Sequence, residues 1–114
     1  MGYEIKFYTT AYGKQPVREF INSLDIKTRA KVMAFLERMK SEGNIPLPVT
    51  RKMEGARELH ELRVKSHTGI YRFFYFVYLG NQIVLLHAFQ KKSQQTPTKE
   101  IEVATERLAL VLKA

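Results

Sequence analysis

The sequence predicts one α+β domain, spanning residues 1–114, with helices packed on one face of a mostly antiparallel sheet and the order β-α-α-β-β-β-α. Three observations support this fold class. The length of 114 residues is usual for one domain, and a hydrophobic content of 45% is enough for a single core. Apolar residues recur with helical spacing near both ends of the chain. Strand-like runs separated by short turns fill the middle.

The first part of the chain predicts one strand and two helices. Residues 3–9 alternate between apolar and polar side chains, which is typical of a strand. Pro16 suits the first position of a helix. The apolar face of that helix would comprise Val17, Phe20, Ile21 and Leu24. Asp25 is the expected N-cap of a second helix that ends near Gly43. The apolar face of the second helix would comprise Ile26, Ala30, Met33 and Leu36.

Three strand-like runs follow a loop that contains two prolines, at residues 45–48. The runs cover residues 58–65, 70–78 and 82–90. A four-residue turn joins the first pair of runs. Gly80 and Asn81 are predicted to join the second pair as a two-residue hairpin turn.

A final helix is predicted to begin at Thr96 and Pro97, a capping residue followed by a proline at the first helical position. Its buried face would comprise Ile101, Ala104, Leu108 and Val111. The helices are expected to cover the same face of the sheet.

Composition excludes several classes of protein. The chain has no cysteine, which excludes a disulfide scaffold and a thiolate-ligated metal site. Residues 1–10 lack the apolar core of a signal peptide, and no stretch approaches the roughly 20 apolar residues of a membrane span. We therefore expect a cytoplasmic protein with no membrane partner. The glycines are scattered and the histidines lack ligand spacing, so no cofactor and no metal is expected.

Positive charge is concentrated in the predicted sheet. The chain has 19 basic and 11 acidic residues, giving a net charge of +8. Residues 50–95 contain 8 basic and 3 acidic residues, whereas residues 96–114 contain 3 of each. Such a concentration is typical of proteins that bind polyanions, although many basic surfaces serve only solubility. We therefore expect the sheet to meet nucleic-acid phosphates.

Strand register places two of these charges face to face. The four-residue turn puts Arg63 directly opposite Arg72, on the face away from the core pair of Leu62 and Phe73. Like charges whose Cβ atoms lie about 5 Å apart destabilise a sheet. The pair therefore favours an anion that binds between the two arginines.

The next hairpin extends the same face. With a two-residue turn, Arg72 faces Phe89, Phe74 faces His87, and Lys91 lies at the open end. The opposite, core face would receive Val84, Leu86 and Ala88. A three-residue turn would shift the last strand by one residue and exchange its faces. We prefer the two-residue turn because it sorts the core side chains better.

The predicted site therefore combines cations with aromatic rings. Cations bind and polarise phosphate, and exposed rings can stack on bases. The phosphate-binding cations would be Arg63, Arg72 and Lys91. The surrounding RNA-binding residues would be Lys92, Phe89, His87, Glu61, Lys65 and Phe74. An aromatic residue in a strand is more often part of the core, and a lone histidine is more often a packed residue than a catalyst.

An ordered set of motifs resembles the HigB branch of the RelE toxin superfamily, including its phage-derived relatives. The resemblance covers nearly the whole chain. The motifs are Glu61-Leu62-Arg63, Tyr71-Arg72, residues 86–92 (LHAFQKK), Thr96-Pro97, Glu100-Ile101 and residues 104–107 (ATER). The resemblance implies a RelE-like fold and the toxin of a type II toxin–antitoxin module. Such a toxin is a metal-independent endoribonuclease, or mRNA interferase, that cuts mRNA on the ribosome and arrests growth.

The resemblance also implies partners and roles. The partners would be mRNA on the ribosome and a cognate antitoxin, often a helix-turn-helix protein. In such toxins the ribose 2′-hydroxyl attacks the adjacent phosphodiester and a 5′-hydroxyl is released. By position, Arg72 would hold the scissile phosphate and Arg63 would be a second phosphate-binding cation. Lys91 or Lys92 would supply the basic position after the last strand.

The sequence departs from the RelE pattern at two places. Leu59, His60 and Glu61 replace a lysine-rich strand, and residues 93–97 lack the tyrosine that RelE uses. These departures leave the general base unassigned, and Glu61, His87 or a lysine could serve. Arginine and lysine alone could still accelerate cleavage by stabilising the charged transition state.

Two alternative functions share this fold. One is a toxin that binds a protein target without catalysis, as a ParE-like gyrase poison does. The other is a degenerate phage protein that only binds RNA or a partner. For a toxin with a net charge of +8, we expect an acidic antitoxin.

Overall fold

A computed structural model describes residues 2–43, 49–53, 58–91 and 98–113. The elements in chain order are β1 (Glu4–Phe7), α1 (Pro16–Asn22), α2 (Ile26–Glu42), β2 (Thr50–Lys52), β3 (His60–Ser66), β4 (Gly69–Tyr78), β5 (Gln82–Gln90) and α3 (Thr98–Lys113). The strands form one sheet in the order β1-β5-β4-β3-β2. Strand β1 runs parallel to β5, and the other neighbours are antiparallel. The α+β class and the mostly antiparallel sheet are therefore confirmed.

The helices lie on both faces of the sheet, so the expectation that they cover a single face is wrong. One buried cluster joins α1 and α2 to Leu62, Phe73 and Leu85. A second cluster joins Ala104 and Leu108 of α3 to Phe74. The cause is the aromatic run of β4, because its successive side chains point to opposite faces and every residue from 71 to 76 is buried. Each of the two faces needs its own helical cover.

The start of α2 follows the sequence prediction. Asp25 caps the helix, and its Oδ2 accepts a hydrogen bond from the Thr28 backbone N–H at 3.1 Å. Gly43 ends it with φ +78°, and a Cβ at this position would lie 2.7 Å from the Tyr3 ring. Pro16 likewise occupies the first turn of α1. The predicted start of α3, at Thr96 and Pro97, lies outside the described residues.

The buried face of α2 differs from the predicted one. Ile26 is 79% exposed and Met33 is 42% exposed, and Ala30 is also exposed. Leu36 is buried as predicted, and the helix also buries Thr28, Val32 and Met39. Apolar periodicity missed this face because its first member is a polar residue. The Thr28 hydroxyl can be buried because it forms hydrogen bonds with the hydroxyls of Ser66 and Thr68.

The strands also depart from the sequence prediction. Strand β2 was not predicted, and its three residues pair with residues 60–62 of β3. The run predicted from residue 58 becomes a strand only at His60, since Glu58 has φ +64°.

The turn between β4 and β5 has three residues, and the expected two-residue turn is wrong. Tyr78 pairs with Gln82, and Leu79 and Gly80 have positive φ values of 53° and 80°. Gly80 suits this geometry because it has no Cβ.

A β-bulge in β5 compensates for the extra turn residue. Tyr75 pairs with Leu85 and Phe74 pairs with His87, so Leu86 between them has no opposite residue. Beyond the bulge the register equals the predicted one. The cationic half of the hairpin therefore matches the prediction although the turn does not.

The three-residue turn changes which face two core residues occupy. Val84 and Leu86 belong to the α3 cluster, on the same face as Phe74, whereas Ala88 packs against the α1–α2 cluster. The prediction that all three share one face is wrong. The loop length shifts the first half of β5 by one residue, which exchanges its faces.

Two methionines of α2 provide a direct test of the observed helix face. Met39→Ala should lower the free energy of unfolding by about 2–5 kcal/mol, because it removes a fully buried side chain. Met33→Ala makes the same chemical change at an exposed position and should cost less than about 0.5 kcal/mol. Urea denaturation of both variants measures the difference. Equal losses would contradict the observed face.

Candidate functional site

The two arginines predicted to face each other do so in the structure. Arg63 of β3 and Arg72 of β4 are directly opposed in register. Arg72 is in turn opposite Phe89 of β5. The backbone N–H of Lys91 donates to the Ile70 carbonyl at 2.7 Å, which continues the β5 pairing past the strand end. Register thus brings the predicted cations to one end of one sheet face.

A third arginine joins them from the unpredicted strand β2. Arg51 pairs in register with Glu61, which lies two residues before Arg63 on β3. Sequence reasoning missed Arg51 because β2 has only three residues and follows a proline-containing loop. Arg51, Arg63, Arg72 and Lys91 are called the cationic cluster below.

Glu61 is the internal counter-ion of this cluster and not a surface residue. Its side chain is 1% exposed, and its Oε2 accepts a hydrogen bond from Arg72 Nη1. Its Oε1 accepts from Arg51 Nε at 2.8 Å. A carboxylate buried in this way is stable only with paired cations. Glu61 therefore organises the arginines and has both oxygens engaged.

The cluster has more hydrogen-bond donors than acceptors among the described residues. Nε of Arg63 and Nε of Arg72 are both buried without a hydrogen-bond partner there. The cluster has four basic side chains but one carboxylate, Glu61, which is paired with Arg51 and Arg72. Buried guanidinium donors without acceptors are costly, so this arrangement favours an anionic ligand.

Lys91 lies at the rim of the cluster and is half-buried. Loss of hydration lowers the pKa of its amine below the usual value, and the positive charges of Arg72 and Arg63 lower this pKa further. Glu61 partly opposes the shift. A lysine with a lowered pKa is more easily deprotonated than an ordinary surface lysine.

The aromatic residues do not form the exposed stacking surface that the sequence suggested. Phe74 is 0% and Phe89 is 7% exposed, because α3 covers them. They lie beside the cationic cluster, because Phe74 pairs in register with Glu61 and Phe89 pairs with Arg72. The sequence prediction failed here because it placed every helix on the other face.

His87 ties the sheet to α3. Its ring stacks on Phe89, and its Nε2 lies 2.6 Å from Glu100 Oε1. Arg107 Nη1 lies 3.4 Å from Nδ1 and donates to the Leu86 carbonyl at 2.9 Å. These contacts fit a neutral ring that carries its proton on Nε2. Glu100 and Arg107 were not predicted as contacts, although a spacing of seven residues places them on one face of a helix.

Lys65, another predicted site residue, takes no part in the ion pairs of the cluster. Lys65 is exposed, two residues beyond Arg63 on the same side of β3. Lys92 lies outside the described residues.

Within the described ranges, no group of three or more histidine or acidic side chains could hold a metal ion. None of the described helices is both long and apolar enough to span a bilayer.

Comparison with known families identifies a family to which the chain is similar. The model of the family described as phage derived protein Gp49-like (DUF891) matches residues 19–109. This range is well over half of the chain and includes every described residue of the cationic cluster. No curated protein matches the chain significantly.

Removal of the counter-ion should destabilise the protein far more than removal of its exposed partner. Glu61→Gln leaves the buried Arg72 without a full opposite charge and should cost about 3–5 kcal/mol of unfolding free energy. Arg51→Ala removes an ion pair whose cation is 52% exposed and should cost about 1 kcal/mol or less. Urea denaturation at neutral pH measures both losses. A Glu61→Gln variant as stable as Arg51→Ala would contradict the role of Glu61.

Acidification should weaken the contact between β5 and α3. Burial lowers the pKa of His87 below its usual 6.5, and this effect outweighs the opposing effect of Glu100. The unfolded chain then binds a proton before the folded chain does. The stability is therefore complete above pH 6.5 and is lost as the pH falls through the folded pKa.

Urea denaturation between about pH 7.5 and about pH 5 measures this loss. His87→Gln should reduce the pH dependence but not abolish it, because burial also lowers the pKa of His60. A wild-type protein that becomes more stable on acidification would show that the attraction to Glu100 dominates instead.

Proposed function

Because the chain belongs to the phage-derived Gp49-like family, we propose that it is a ribosome-dependent mRNA endonuclease. The family is a RelE-like toxin family, and membership implies an antitoxin partner. The cleavage of translated mRNA would inhibit growth until the antitoxin binds. The cationic cluster is the observation that carries this proposal. Two arginines share one buried carboxylate, Arg63 and Lys91 add two further cations nearby, and two guanidinium Nε atoms have no described acceptor.

The proposed reaction depends on stabilisation of the negative charge that develops around the phosphorus atom. The ribose 2′-oxygen attacks the adjacent phosphorus, and the bond from phosphorus to the 5′-oxygen breaks. The products are a 2′,3′-cyclic phosphate and a 5′-hydroxyl. The 2′-hydroxyl proton passes to a base, and the leaving oxygen takes up a proton. Cations held in place before the reaction stabilise the additional negative charge of the transition state.

The burial of the three cations suggests different roles. Arg72 is 4% exposed and is paired with Glu61, so we assign it a supporting charge beneath the scissile phosphate. Arg63 and Lys91 are half-buried and can contact the phosphate oxygens from outside. This assignment modifies the role that the family resemblance implies for Arg72.

Three residues were candidates for the general base, and their contacts differ. Both oxygens of Glu61 accept hydrogen bonds from arginines. Both ring nitrogens of His87 lie within hydrogen-bonding distance of α3 side chains. Lys91 has no such side-chain partner among the described residues, and its pKa is lowered. We therefore assign the base role to Lys91, since a lowered pKa increases the fraction of neutral amine that can accept a proton.

The net charge of +8 favours an antitoxin that presents an acidic segment. Such an antitoxin would be attracted to the toxin over long range. A small helix-turn-helix protein encoded beside the toxin is the partner that we expect.

Lys91→Arg separates the two roles of Lys91, charge and proton transfer. Arginine keeps the positive charge but does not lose its proton at accessible pH. We expect single-turnover cleavage of mRNA on purified ribosomes to fall by about 10²- to 10⁴-fold while binding persists. The wild-type rate should rise with pH up to the pKa of Lys91. A Lys91→Arg variant with the wild-type rate would show that Lys91 acts through its charge alone.

Lys14→Gln is the matched control, because Lys14 is an exposed basic residue between β1 and α1. It should leave the rate unchanged. Mapping of 5′ ends in cellular mRNA after expression tests the function itself. Intact mRNA together with DNA damage would support the gyrase-poison alternative, and intact mRNA without DNA damage would support a protein that only binds.

A further inference from the structure

A small pocket lies at the edge of the sheet, beside the cationic cluster, with which it shares Arg63. Its volume is about 230 Å³. Its lining residues are Lys31, Phe35, Val49, Arg63 and Lys65. Three of these five residues are basic and none is acidic. This pocket is called the edge pocket below.

The edge pocket exists because β2 is shorter than β3. Strand β2 pairs with β3 only as far as Leu62. The Arg63 backbone N–H makes the next bond, to the Val49 carbonyl at 2.8 Å. Beyond that bond no described strand covers the outer edge of β3. Arg63 and Lys65, two residues apart on one side of β3, therefore border an open space.

Helix α2 forms the opposite wall. Lys31 and Phe35 are one turn apart on this helix and so lie on the same face. The wall is anchored near its start, because the buried Thr28 hydroxyl forms hydrogen bonds with Ser66 and Thr68 at the end of β3. The Phe35 side chain is half-buried and packs against the core. The pocket walls are therefore held in fixed positions before any ligand binds.

The charges of the edge pocket are unbalanced. Neither the side-chain amine of Lys31 nor that of Lys65 has a hydrogen bond or an ion pair among the described residues. Nε of Arg63 is buried without a partner there. Three such cations around a ring and an aliphatic side chain have the composition that RNA subsites need, namely cations for a phosphate and an apolar surface for a base or ribose.

We propose that the edge pocket binds the phosphate and sugar–base portion of one nucleotide of single-stranded RNA, next to the nucleotide that is cut. Lys31 and Lys65 contact the phosphate, and Phe35 with Val49 contacts the sugar or base. Arg63 borders both sites and links them, because it lines the pocket and faces Arg72 in register. This inference rests on the proposed function and adds Lys31, a helix residue that no sheet-based argument includes.

The salt dependence of RNA binding tests the edge pocket. The affinity of a short single-stranded RNA oligonucleotide is measured by fluorescence anisotropy at several salt concentrations. Each lost phosphate contact reduces the slope of log K against log salt by about 0.7 for single strands. We expect Lys31→Gln and Lys65→Gln each to reduce the slope by about this amount. Lys40→Gln, an exposed lysine further along α2, is the matched control and should keep the wild-type slope.

The apolar wall has its own variant. Phe35→Leu should weaken RNA binding without any change in the salt slope, because it removes a ring and no charge. Thermal unfolding checks that this variant is folded. If it is not folded, the two lysine variants still decide the question, because Lys31 and Lys65 are exposed.

Cleavage on purified ribosomes is measured in parallel so that the two proposals can fail separately. If the wild type cleaves mRNA but both lysine variants keep the wild-type slope, the edge pocket is not an RNA subsite and the proposed function stands. If the slopes fall but no cleavage occurs, the pocket binds RNA and the proposed enzyme activity is wrong. A glutamate-rich peptide is the remaining probe. Loss of peptide binding in the lysine variants, with RNA binding unchanged, would overturn the RNA assignment in favour of an acidic protein segment.

Discussion

Strand β4 is buried on both of its faces, and this constraint determines where the other elements lie. Its aromatic side chains alternate between the faces, so the α1–α2 hairpin covers one set and α3 covers the other. Strand β3 then pairs with residues 69–75 of β4, and β5 pairs with residues 71–78. The sheet is consequently a middle layer, and its chemistry is confined to the ends and edges that the helices leave uncovered.

The cationic cluster lies at one such end, where aromatic residues give way to charged ones. Arg72 interrupts the apolar run of β4 and is nevertheless buried. A buried guanidinium needs a counter-ion, and Glu61 supplies it from the next strand. The same carboxylate also holds Arg51, so one residue fixes two arginines. An anion that binds there meets donors already in position, which reduces the cost of ordering side chains on binding.

Local signals in the sequence were sufficient for the parts of the fold that depend on neighbouring residues. Ser66 pairs with Gly69, so the turn has two residues and not the predicted four, but the register is the predicted one and Arg63 faces Arg72. The capping role of Asp25 follows from its side chain. The compensation between two separate irregularities of the β4–β5 hairpin could not be predicted from the sequence. The three-residue turn and the bulge at Leu86 each shift the register by one residue, and their effects cancel only in the cationic half of the hairpin.

The remaining differences between the predicted and the observed structure arise from tertiary contacts. The buried face of α2 includes Thr28, whose hydroxyl is satisfied by residues from the far end of β3, and no helical periodicity reveals such a partner. Arg51 and Lys31 escaped notice for the same reason. One belongs to a strand of three residues, and the other belongs to a helix whose relation to the sheet edge is set by packing.

The parallel pairing of β1 with β5 has a consequence for biosynthesis. Glu4 pairs with Gln82, so a strand made first must wait for one of the last strands before it can join the sheet. The turns between β3, β4 and β5 are short, and these strands can assemble as soon as they emerge from the ribosome. Loop closure over most of the chain slows the addition of β1. The sheet is therefore completed only after β5 has been translated, and a nascent chain that ends before β5 has an incomplete sheet.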